Sequence, residues 1–218
     1  MRASLHDAGS VYEIDVDQVR ALAPDLVLTQ GICDVCAVPE SQAIAALAPI
    51  PVLSLDAHDL SAIFESIRAV GAATGVAEKA ERLIADMQQR IAAVRAKVSG
   101  RPKPRVLALE WLDPPYMPGH WVPELVALAG GELLAGTTRR PSYKTEWSEL
   151  RSLSPDVLLI MPCGFDLAAA QREAARHRTD LRAVGGRVQL LDASAYFSRS
   201  GPRVVDGLEI LASVLHPA

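Results

Sequence analysis

The sequence has few of the residues that mark several large classes of protein. It contains three cysteines in 218 residues, an odd and small number that argues against a disulfide framework. It contains no asparagine, so it has no N-glycosylation sequon. No apolar run reaches the length of a transmembrane helix. The start, Met1 to Ala8, has no apolar core of a signal peptide, and as written the chain is expected to stay in the cytoplasm.

The chain has no excess of positive charge, and its aromatic rings are few. The formal net charge is −4, and the sequence has no basic stripe, so nucleic acid is not an expected partner. Half of the residues are hydrophobic, which is enough to form a full core in one large or two small domains. Three Trp, four Tyr and three Phe are the only aromatic residues, so the positions of these ten rings are informative.

Two pairs of stretches in the chain resemble each other. Arg20–Thr29 and Arg151–Ile160 both combine a leucine, a Pro-Asp pair and a short apolar run, which predicts a turn followed by a buried strand. Val52–Ala57 and Val188–Ala193 follow in the same order, and an amphipathic pattern comes after each. This repeated order predicts two similar α/β lobes.

A long helical segment lies between the repeats. Apolar residues recur at steps of three and four from Leu60 to Val98, which is typical of a helix with one buried face. Gly71 and Gly75 weaken the pattern between two helices, so that only Ala77–Val98 is expected to bridge the lobes. The predicted division is a partial N-terminal lobe over residues 1–76, a bridging helix over 77–103 and a C-terminal lobe over 104–218.

The two lobes differ at their beginnings. The second lobe opens with a strand and a helix over residues 105–130 before its Pro-Asp unit, whereas the first lobe has no counterpart of them. The sequence therefore predicts an α/β fold of two Rossmann-like lobes with parallel sheets joined by a long bridging helix, the N-terminal lobe being incomplete. Its exposed sheet edge needs a cover, and a second copy of the chain in a homo-oligomer is one candidate.

Aromatic residues concentrate where the predicted parallel strands end. Ligands of open α/β sheets bind at the carboxyl ends of the strands, and the loops expected there span 30–36, 110–121, 162–165 and 192–199. Six of the ten aromatic residues lie in these loops beside His120, namely Trp111, Tyr116, Trp121, Phe165, Tyr196 and Phe197. Rings on loops favour a flat apolar small-molecule ligand or a contact surface. The alternative is local packing that anchors the loops.

The cysteines leave two further hypotheses open. Cys33 and Cys36 form a CxxC pair, which is a weak metal signal because a closed zinc site needs four ligands. Cys163 and His120 from the other lobe would complete such a set, and they also form a candidate nucleophile pair without a third group to orient it. Either pattern would be typical of a metal- or thiol-dependent enzyme. The simpler interpretation is that the cysteines are small loop residues that face the cleft.

Several motifs together resemble one known family. They are the paired Pro-Asp strands and the stretches Lys103–Val106, Leu112–Trp121, Met161–Asp166 and Tyr196–Arg203. On these motifs the chain resembles the helical-backbone (class III) periplasmic substrate-binding proteins of ABC importers, and in particular their cobalamin (vitamin B12)-binding branch. The same superfamily includes siderophore and haem binders.

The resemblance implies a binding protein that is not an enzyme, has no cofactor, and holds a corrinoid between its lobes. The implied contacts with this small-molecule ligand are Gln30, Gly31, Pro115, Tyr116, His120, Trp121, Ser142, Tyr143, Tyr196, Phe197 and Ser198. The loop pattern described above adds Phe165 to this set.

The resemblance also implies a partner and a location. Family members use one surface glutamate per lobe to meet arginines of an importer permease. Glu40 falls near the first such position, while Ser148 is in register with the second and Glu149 is its neighbour. Family members are periplasmic or membrane-anchored outside the cytoplasm, and they carry a further amino-terminal segment that supplies the first strand. The sequence given starts after that segment, which agrees with the incomplete first lobe expected from the repeats.

Overall fold

The amino-terminal half contains a small parallel sheet with flanking helices. Its elements are α1 (Val16–Ala21), β1 (Val27–Thr29), α2 (Glu40–Leu47), β2 (Val52–Ser54) and α3 (Leu60–Ala73). The computed structural model describes residues 14–31 and 40–217. Strands β1 and β2 are parallel, with Val27 opposite Val52 and Thr29 opposite Ser54, since a helix connects them and brings the chain back to the same end of the sheet.

The longest helix, α4 (Ala77–Val98), joins the two halves of the chain and has 22 residues. Its buried side chains recur at helical spacing, at Ala80, Ile84, Met87 and Val94. Helix α3 packs against α4 at their junction, where a methyl group on Gly71 would lie 2.5 Å from the Cβ of Ala80. Glycine at this position therefore lets the two helices approach each other closely.

The carboxyl-terminal half contains a parallel sheet and a smaller antiparallel one. Its elements are β3 (Arg105–Leu109), β4 (Trp111–Leu112), β5 (Pro115–Met117), α5 (Val122–Leu128), β6 (Glu132–Leu133), β7 (Tyr143–Lys144), α6 (Trp147–Leu150), β8 (Val157–Ile160), α7 (Leu167–Arg176), α8 (Arg178–Val184), β9 (Arg187–Leu190), α9 (Ala193–Tyr196) and α10 (Val204–Leu215). The parallel sheet has four strands in the order β6-β3-β8-β9. This order places β3 and β8 in its centre.

Strand β3 contributes to a core on each face of the sheet. Val106 and Ala108 belong to one apolar cluster with residues of α5 and α10. Leu107 and Leu109 belong to a second cluster with residues of α8. Successive side chains of a strand point to opposite faces, so an unbroken apolar run is what a strand buried on both faces requires.

The first of these clusters also extends into the amino-terminal half. It includes Leu60 and Ile63 of α3 and Met87 and Val94 of α4. The bridging helix is further fixed to α10 by ion pairs that join Arg90 to Asp206 and Glu209, with N–O distances of 2.5 and 2.7 Å. Because one continuous core joins the halves, the lobes are held together by packing as well as by chain connectivity.

The predicted fold class is confirmed. The structure has two α/β lobes with parallel sheets, and α4 lies between them. Within the described residues the first lobe has a two-stranded sheet and the second a four-stranded parallel sheet. The division of the chain at 76 and 103 stays a prediction. No helix in residues 14–31 or 40–217 has the length and apolarity needed to cross a membrane.

One predicted loop is wrong, because residues 110–120 contain a hairpin. Strands β4 and β5 are antiparallel, with Trp111 opposite Tyr116, and β5 also pairs with β7. The strands have only two or three residues each. Such short strands show no alternation in the sequence. Strand β5 pairs with β7, which lies much later in the chain, so this pairing does not arise from local preference.

The sequence from Thr145 to Leu153 predicts a helix with Thr145 as a possible N-cap, and this prediction is wrong in extent. The helix found there, α6, covers only Trp147–Leu150, because the N–H of Thr145 extends the pairing of β7 with β5 by donating to the carbonyl of Pro115 at 2.9 Å. Thr145 does not act as its N-cap; its Oγ1 donates a hydrogen bond of 2.6 Å to Oε2 of Glu149. The short elements β6, α8 and α9 were not predicted, and α9 lies within a segment expected to be a loop.

Candidate ligand-binding site between the lobes

Three loops of the second lobe form one connected rim at the carboxyl ends of its strands. The N–H of Cys163, after β8, donates to the carbonyl of Glu110, after β3, at 2.9 Å. The loop after β9 is tied to the same place, because the N–H of Ser194 donates to the carbonyl of Phe165 at 2.9 Å and the N–H of Gly164 donates to Oγ of Ser198 at 3.0 Å. We call these loops the second-lobe rim.

Aromatic rings line part of this rim. Trp111 and Phe165 meet edge to face, with ring centroids 5.1 Å apart, and Trp111 lies opposite Tyr116 in the hairpin. The indole N–H of Trp111 donates to the carbonyl of Asp113 at 3.0 Å. Trp111, Tyr116 and Phe165 are only partly buried, so their rings remain available for contact with an apolar ligand.

The carboxyl group of Glu110 joins the rim loop after β3 to the segment before β7. Oε2 of Glu110 accepts a hydrogen bond of 2.5 Å from Oγ of Ser142, and the N–H of Gly119 also donates to this carboxyl group. Burial raises the pKa of Glu110 to about 7, although both hydrogen bonds act to lower it. Gly119 is required here because a Cβ would lie 2.6 Å from the carbonyl carbon of Pro141.

The first lobe supplies a smaller rim at the carboxyl ends of β1 and β2. Gln30 and Gly31 follow β1, and the N–H of Gly31 donates to Oδ1 of Asp56, which follows β2. Oγ of Ser54 is 3.0 Å from each carboxylate oxygen of Asp56. A Cβ on Gly31 would lie 2.7 Å from Oδ1, so glycine permits this close contact. Gly31 and Asp56 are exposed.

The rims of the two lobes meet where α3 begins. His58 of the first lobe and His120 of the second have their Nδ1 atoms 3.3 Å apart. Asp59, the N-cap of α3, forms an ion pair with Arg139. The N–H of Leu60 donates to Oε2 of Glu124 in α5 at 3.1 Å. We call these three contacts the inter-lobe contact.

Burial and charge affect two groups of the inter-lobe contact. Burial lowers the pKa of His120, and the charge of His58 lowers it further. Burial acts to raise the pKa of Asp59, but the hydrogen bond from Ala62 and the Arg139 guanidinium outweigh it, so the pKa lies below its usual value. At neutral pH the contact therefore combines uncharged imidazole at His120 with an ionised carboxylate at Asp59.

Two cavities lie at the junction of the lobes. One, of about 410 Å³, is lined by His58, Asp59, Ser61, Ala62, Glu65 and Arg139. The other, of about 440 Å³, lies between α3, α4 and α5, and Phe64, Arg95 and Glu124 are among its lining residues. Tyr116, Phe165 and Tyr196 do not line either cavity. His58 lines the first cavity, whereas the residues that line the second lie on α3, α4 and α5.

The structure separates the predicted ligand-contacting residues into two groups. Those at the rims and exposed or partly buried are Gln30, Gly31, Tyr116, His120, Ser142, Tyr143, Phe165, Tyr196 and Ser198. Trp121, Phe197 and Pro115 are buried. The indole N–H of Trp121 donates to the carbonyl of Phe197 at 3.0 Å, and both rings belong to the core. Both rings pack in the core beneath the loops, and their predicted contact with a ligand stays a prediction.

The cysteine hypotheses receive no support from the geometry. Cys33 and Cys36 lie outside the described residues, and Cys163 is exposed at the end of β8. In the part of the chain that the structure describes, no group of three or more His, Cys, Asp or Glu side chains could hold a metal ion. A closed four-ligand metal centre is therefore not found in residues 14–31 and 40–217.

The two glutamates predicted to meet a permease lie on different elements. Glu40 is the first residue of α2. Glu149 is exposed in α6, and its carboxylate accepts the hydrogen bond from Thr145. Ser148 is exposed beside it.

Sequence reasoning missed several residues that build the site. Glu110 stood at the end of a predicted strand but was not selected, and its contacts with Ser142 and Gly119 form only in the folded chain. His58, Asp59 and Arg139 were also not selected. Only the position of His58 and Asp59 in the sequence could have indicated them, because they follow β2 as the aromatic loops follow β3 and β9. The contact of Asp59 with Arg139 forms only when the lobes pack together.

A comparison with protein-family models decides what kind of protein this is. The model of the periplasmic binding proteins matches residues 2–184. The chain belongs to the periplasmic binding protein family. Proteins of this family bind solutes and are not enzymes, so the hypotheses of a metal- or thiol-dependent enzyme are set aside. Comparison with curated proteins gives no match.

Solved structures of other periplasmic binding proteins share the fold. An ABC transporter substrate-binding protein from Listeria monocytogenes is 23% identical, with a TM-score of 0.78 over 94% of this chain and 81% of that one. A periplasmic haem-binding protein from Pseudomonas aeruginosa is 24% identical, with a TM-score of 0.75 over 94% and 77%. The vitamin B12-binding protein of Vibrio cholerae is 20% identical, with a TM-score of 0.69 over 93% and 78%. At these identities the likeness establishes the fold.

Proposed function

We propose that this periplasmic binding protein is the substrate-binding component of an ABC importer and holds a corrinoid, or a related flat metal chelate, between its lobes. The observation that supports this most is the convergence of the two rims. His58 follows β2 and His120 follows the hairpin after β3, and the two side chains touch. The carboxyl ends of both parallel sheets, where α/β proteins bind ligands, therefore open onto one cleft.

The chemistry of the second-lobe rim suits a large apolar ring system. Trp111, Tyr116, Phe165 and Tyr196 are only partly buried at this rim. Aromatic faces contribute a large apolar contact area at a low cost in side-chain entropy, while hydroxyl and amide groups such as those of Ser198 and Gln30 orient the ligand. The V. cholerae relative is named for vitamin B12 binding.

Haem is the second candidate ligand, and one observation favours it. His120 lies at the cleft with a lowered pKa, and neutral imidazole is a common axial ligand of haem iron. The P. aeruginosa relative is described as a haem-binding protein. Corrinoid and haem share the flat ring that the aromatic rim would contact. The rim alone therefore does not distinguish them, and their affinities must be measured.

The packing between the lobes supports small rearrangements on binding rather than a wide hinge. Helix α3 and the bridging helix α4 share one core with the second lobe, and Arg90 ties α4 to α10. A wide opening would expose this core, at a cost of about 25 cal/mol for each Å² of apolar surface. Ligand entry is instead expected to move the rim loops.

Delivery of the ligand would require a surface for the permease. Glu40 on α2 and Glu149 on α6 are the proposed contacts with permease arginines, one from each lobe. The protein would act outside the cytoplasm, where its family is found. A homo-oligomer that covers the edge of β1 is a further part of this proposal, which sedimentation velocity would measure.

Calorimetric titration tests the proposed ligand. We expect saturable binding of one cyanocobalamin per chain, and haemin in a parallel titration measures the second candidate. Tyr116→Ala removes a partly buried rim ring and should weaken binding about tenfold, equivalent to about 1.4 kcal/mol. Trp147→Phe, which changes a ring that stacks on His177 away from the rim, should leave affinity unchanged. Heats equal to dilution for both ligands would contradict the proposal.

A further inference from the structure

The two histidines of the inter-lobe contact have the spacing of ligands on one metal ion. Their Nδ1 atoms are 3.3 Å apart, and their ring centroids are 5.4 Å apart. Two nitrogen ligands at the usual zinc distance of about 2.0–2.1 Å in a tetrahedral site lie about 3.3–3.4 Å from each other. The rings meet edge to edge through nitrogen, so both donor atoms are directed to the same small region.

Metal binding sets the protonation of the pair. A metal ion needs the neutral imidazole with a free lone pair on the coordinating nitrogen. When the ion binds, the proton that the neutral pair shares at Nδ1 moves to Nε2 of the ring that carried it.

The backbone holds His120 in position at some cost. Its φ is 51°, a left-handed conformation that costs a non-glycine residue about 1–2 kcal/mol. The N–H of His120 donates to the carbonyl of Arg140 at 2.8 Å, and its carbonyl accepts from the N–H of Arg139 at 3.1 Å. Strain of this kind concentrates where a side chain must be held for binding.

The charges around the pair accommodate a cation. Asp59 follows His58 directly, and Glu65 lines the same cavity. Arg139 is paired with Asp59 and its side chain is 71% exposed, so this guanidinium keeps access to water. The cavity of about 410 Å³ beside His58 leaves room for water in the remaining coordination positions.

We propose that His58 and His120 form a transition-metal site that joins the two lobes, with Zn²⁺ and similar divalent ions bound through both Nδ1 atoms. Imidazole suits Zn²⁺, Ni²⁺ and Cu²⁺. Water fills the positions that the protein leaves open, which agrees with the absence of a third protein ligand in the described residues. Haem bound through His120 would compete with the ion for this ring, so the ion is titrated into protein without bound solute.

Metal titration of the full chain tests the proposal. Protein purified without a metal-affinity tag is titrated with Zn²⁺ by calorimetry and with Co²⁺ by visible absorption. We expect one ion per chain and the visible bands of tetrahedral Co²⁺. His58→Gln and His120→Gln should each weaken binding at least about tenfold, because each leaves a single protein ligand. His177→Gln, which changes a histidine beside Glu173 and Trp147, is the matched control and should bind as the unmodified chain does.

Three results would overturn the site. They are the absence of binding by the unmodified chain, unchanged affinity in both histidine variants, and loss of binding in Cys33→Ser/Cys36→Ser. The last result would assign the ion to the cysteines. If the histidine variants do not fold, the Co²⁺ spectrum of the unmodified chain decides, because a thiolate-to-cobalt charge-transfer band in the near ultraviolet would contradict a site made of imidazoles.

Discussion

The two Pro-Asp units have nearly the same backbone but very different burial. The residue before each proline is left-handed, with a φ of 46° at Ala23 and 47° at Ser154. A short parallel strand follows each unit, β1 in the first lobe and β8 in the second. The matched leucines differ, because Leu28 is 49% exposed whereas Leu159 is fully buried.

The difference arises from the neighbours of each strand. Strand β8 lies between β3 and β9, with an apolar cluster on each face of the sheet. Strand β1 pairs only with β2 within the described residues. Local sequence thus sets the turn and the strand, while burial depends on which other strands are present.

The largest expected effect comes from shortening the two matched leucines. Leu159→Ala removes a fully buried side chain from the core, and we expect the free energy of unfolding to fall by about 2–5 kcal/mol. Leu28→Ala should lower it by less than about 1 kcal/mol, because half of that side chain is already exposed. Urea unfolding of both variants measures the difference. Equal losses would mean that the outer face of β1 is covered in solution.

The next largest effect is expected at the carboxyl groups of the two rims, Glu110 in the second lobe and Asp56 in the first. The folded pKa of Glu110 is raised from 4.5 to about 7, so the folded state binds the proton more tightly than the unfolded state does. The free energy of unfolding should therefore fall as pH rises from about 4.5 to about 7 and then level off. Glu110→Gln should remove this slope and stabilise the protein by about 1–3 kcal/mol at pH 8.

Asp56→Asn is the matched control for Glu110→Gln. Asp56 holds the first-lobe rim in a similar way, but it is exposed, and its substitution should change stability by less than about 1 kcal/mol. Chemical unfolding at pH 5 and pH 8 distinguishes the variants. A stability of Glu110→Gln equal to that of the unmodified chain at both pH values would show that the Glu110 carboxyl is solvated.

The smallest effect concerns the two aspartates that follow the prolines. Oδ2 of Asp156 accepts a hydrogen bond of 2.7 Å from the N–H of Arg105, the first residue of β3. Within the described residues Asp25 has no such partner. Asp156→Ala should therefore cost about 1 kcal/mol, whereas Asp25→Ala should be nearly neutral. Thermal unfolding of the two variants measures these changes in stability. A larger loss of stability for Asp25→Ala would indicate that a further strand lies beside β1.

Much of the fold could be predicted because its signals are local. Helix α4 was predicted at its observed bounds, Ala77–Val98, because its apolar residues are periodic. Strand β3, Arg105–Leu109, begins where a strand was predicted, because an unbroken apolar run identifies it. The hairpin after β3 could not be predicted in the same way. Its strands are too short to show a pattern, and β7 joins them only in the folded chain.

The candidate site could be predicted in part, and its contacts with a ligand stay a prediction. Loops at strand ends identified His120, Tyr116 and Phe165, which lie at the rim. Trp121 and Phe197 share the same composition signal but are buried, because the sequence does not show which face of a short helix turns inward. His58 and Arg139 meet the other lobe through tertiary packing, and no spacing in the sequence marks that contact.

Hydrogen exchange with and without saturating cyanocobalamin tests the central claim most directly, that both rims face one ligand-binding cleft. The account predicts slower exchange in the rim segments of both lobes, at 30–31, 56–58, 110–121, 163–165 and 192–199. It predicts unchanged exchange in α7 and α8 on the second lobe. Protection confined to one lobe, or found only in α7 and α8, would contradict it.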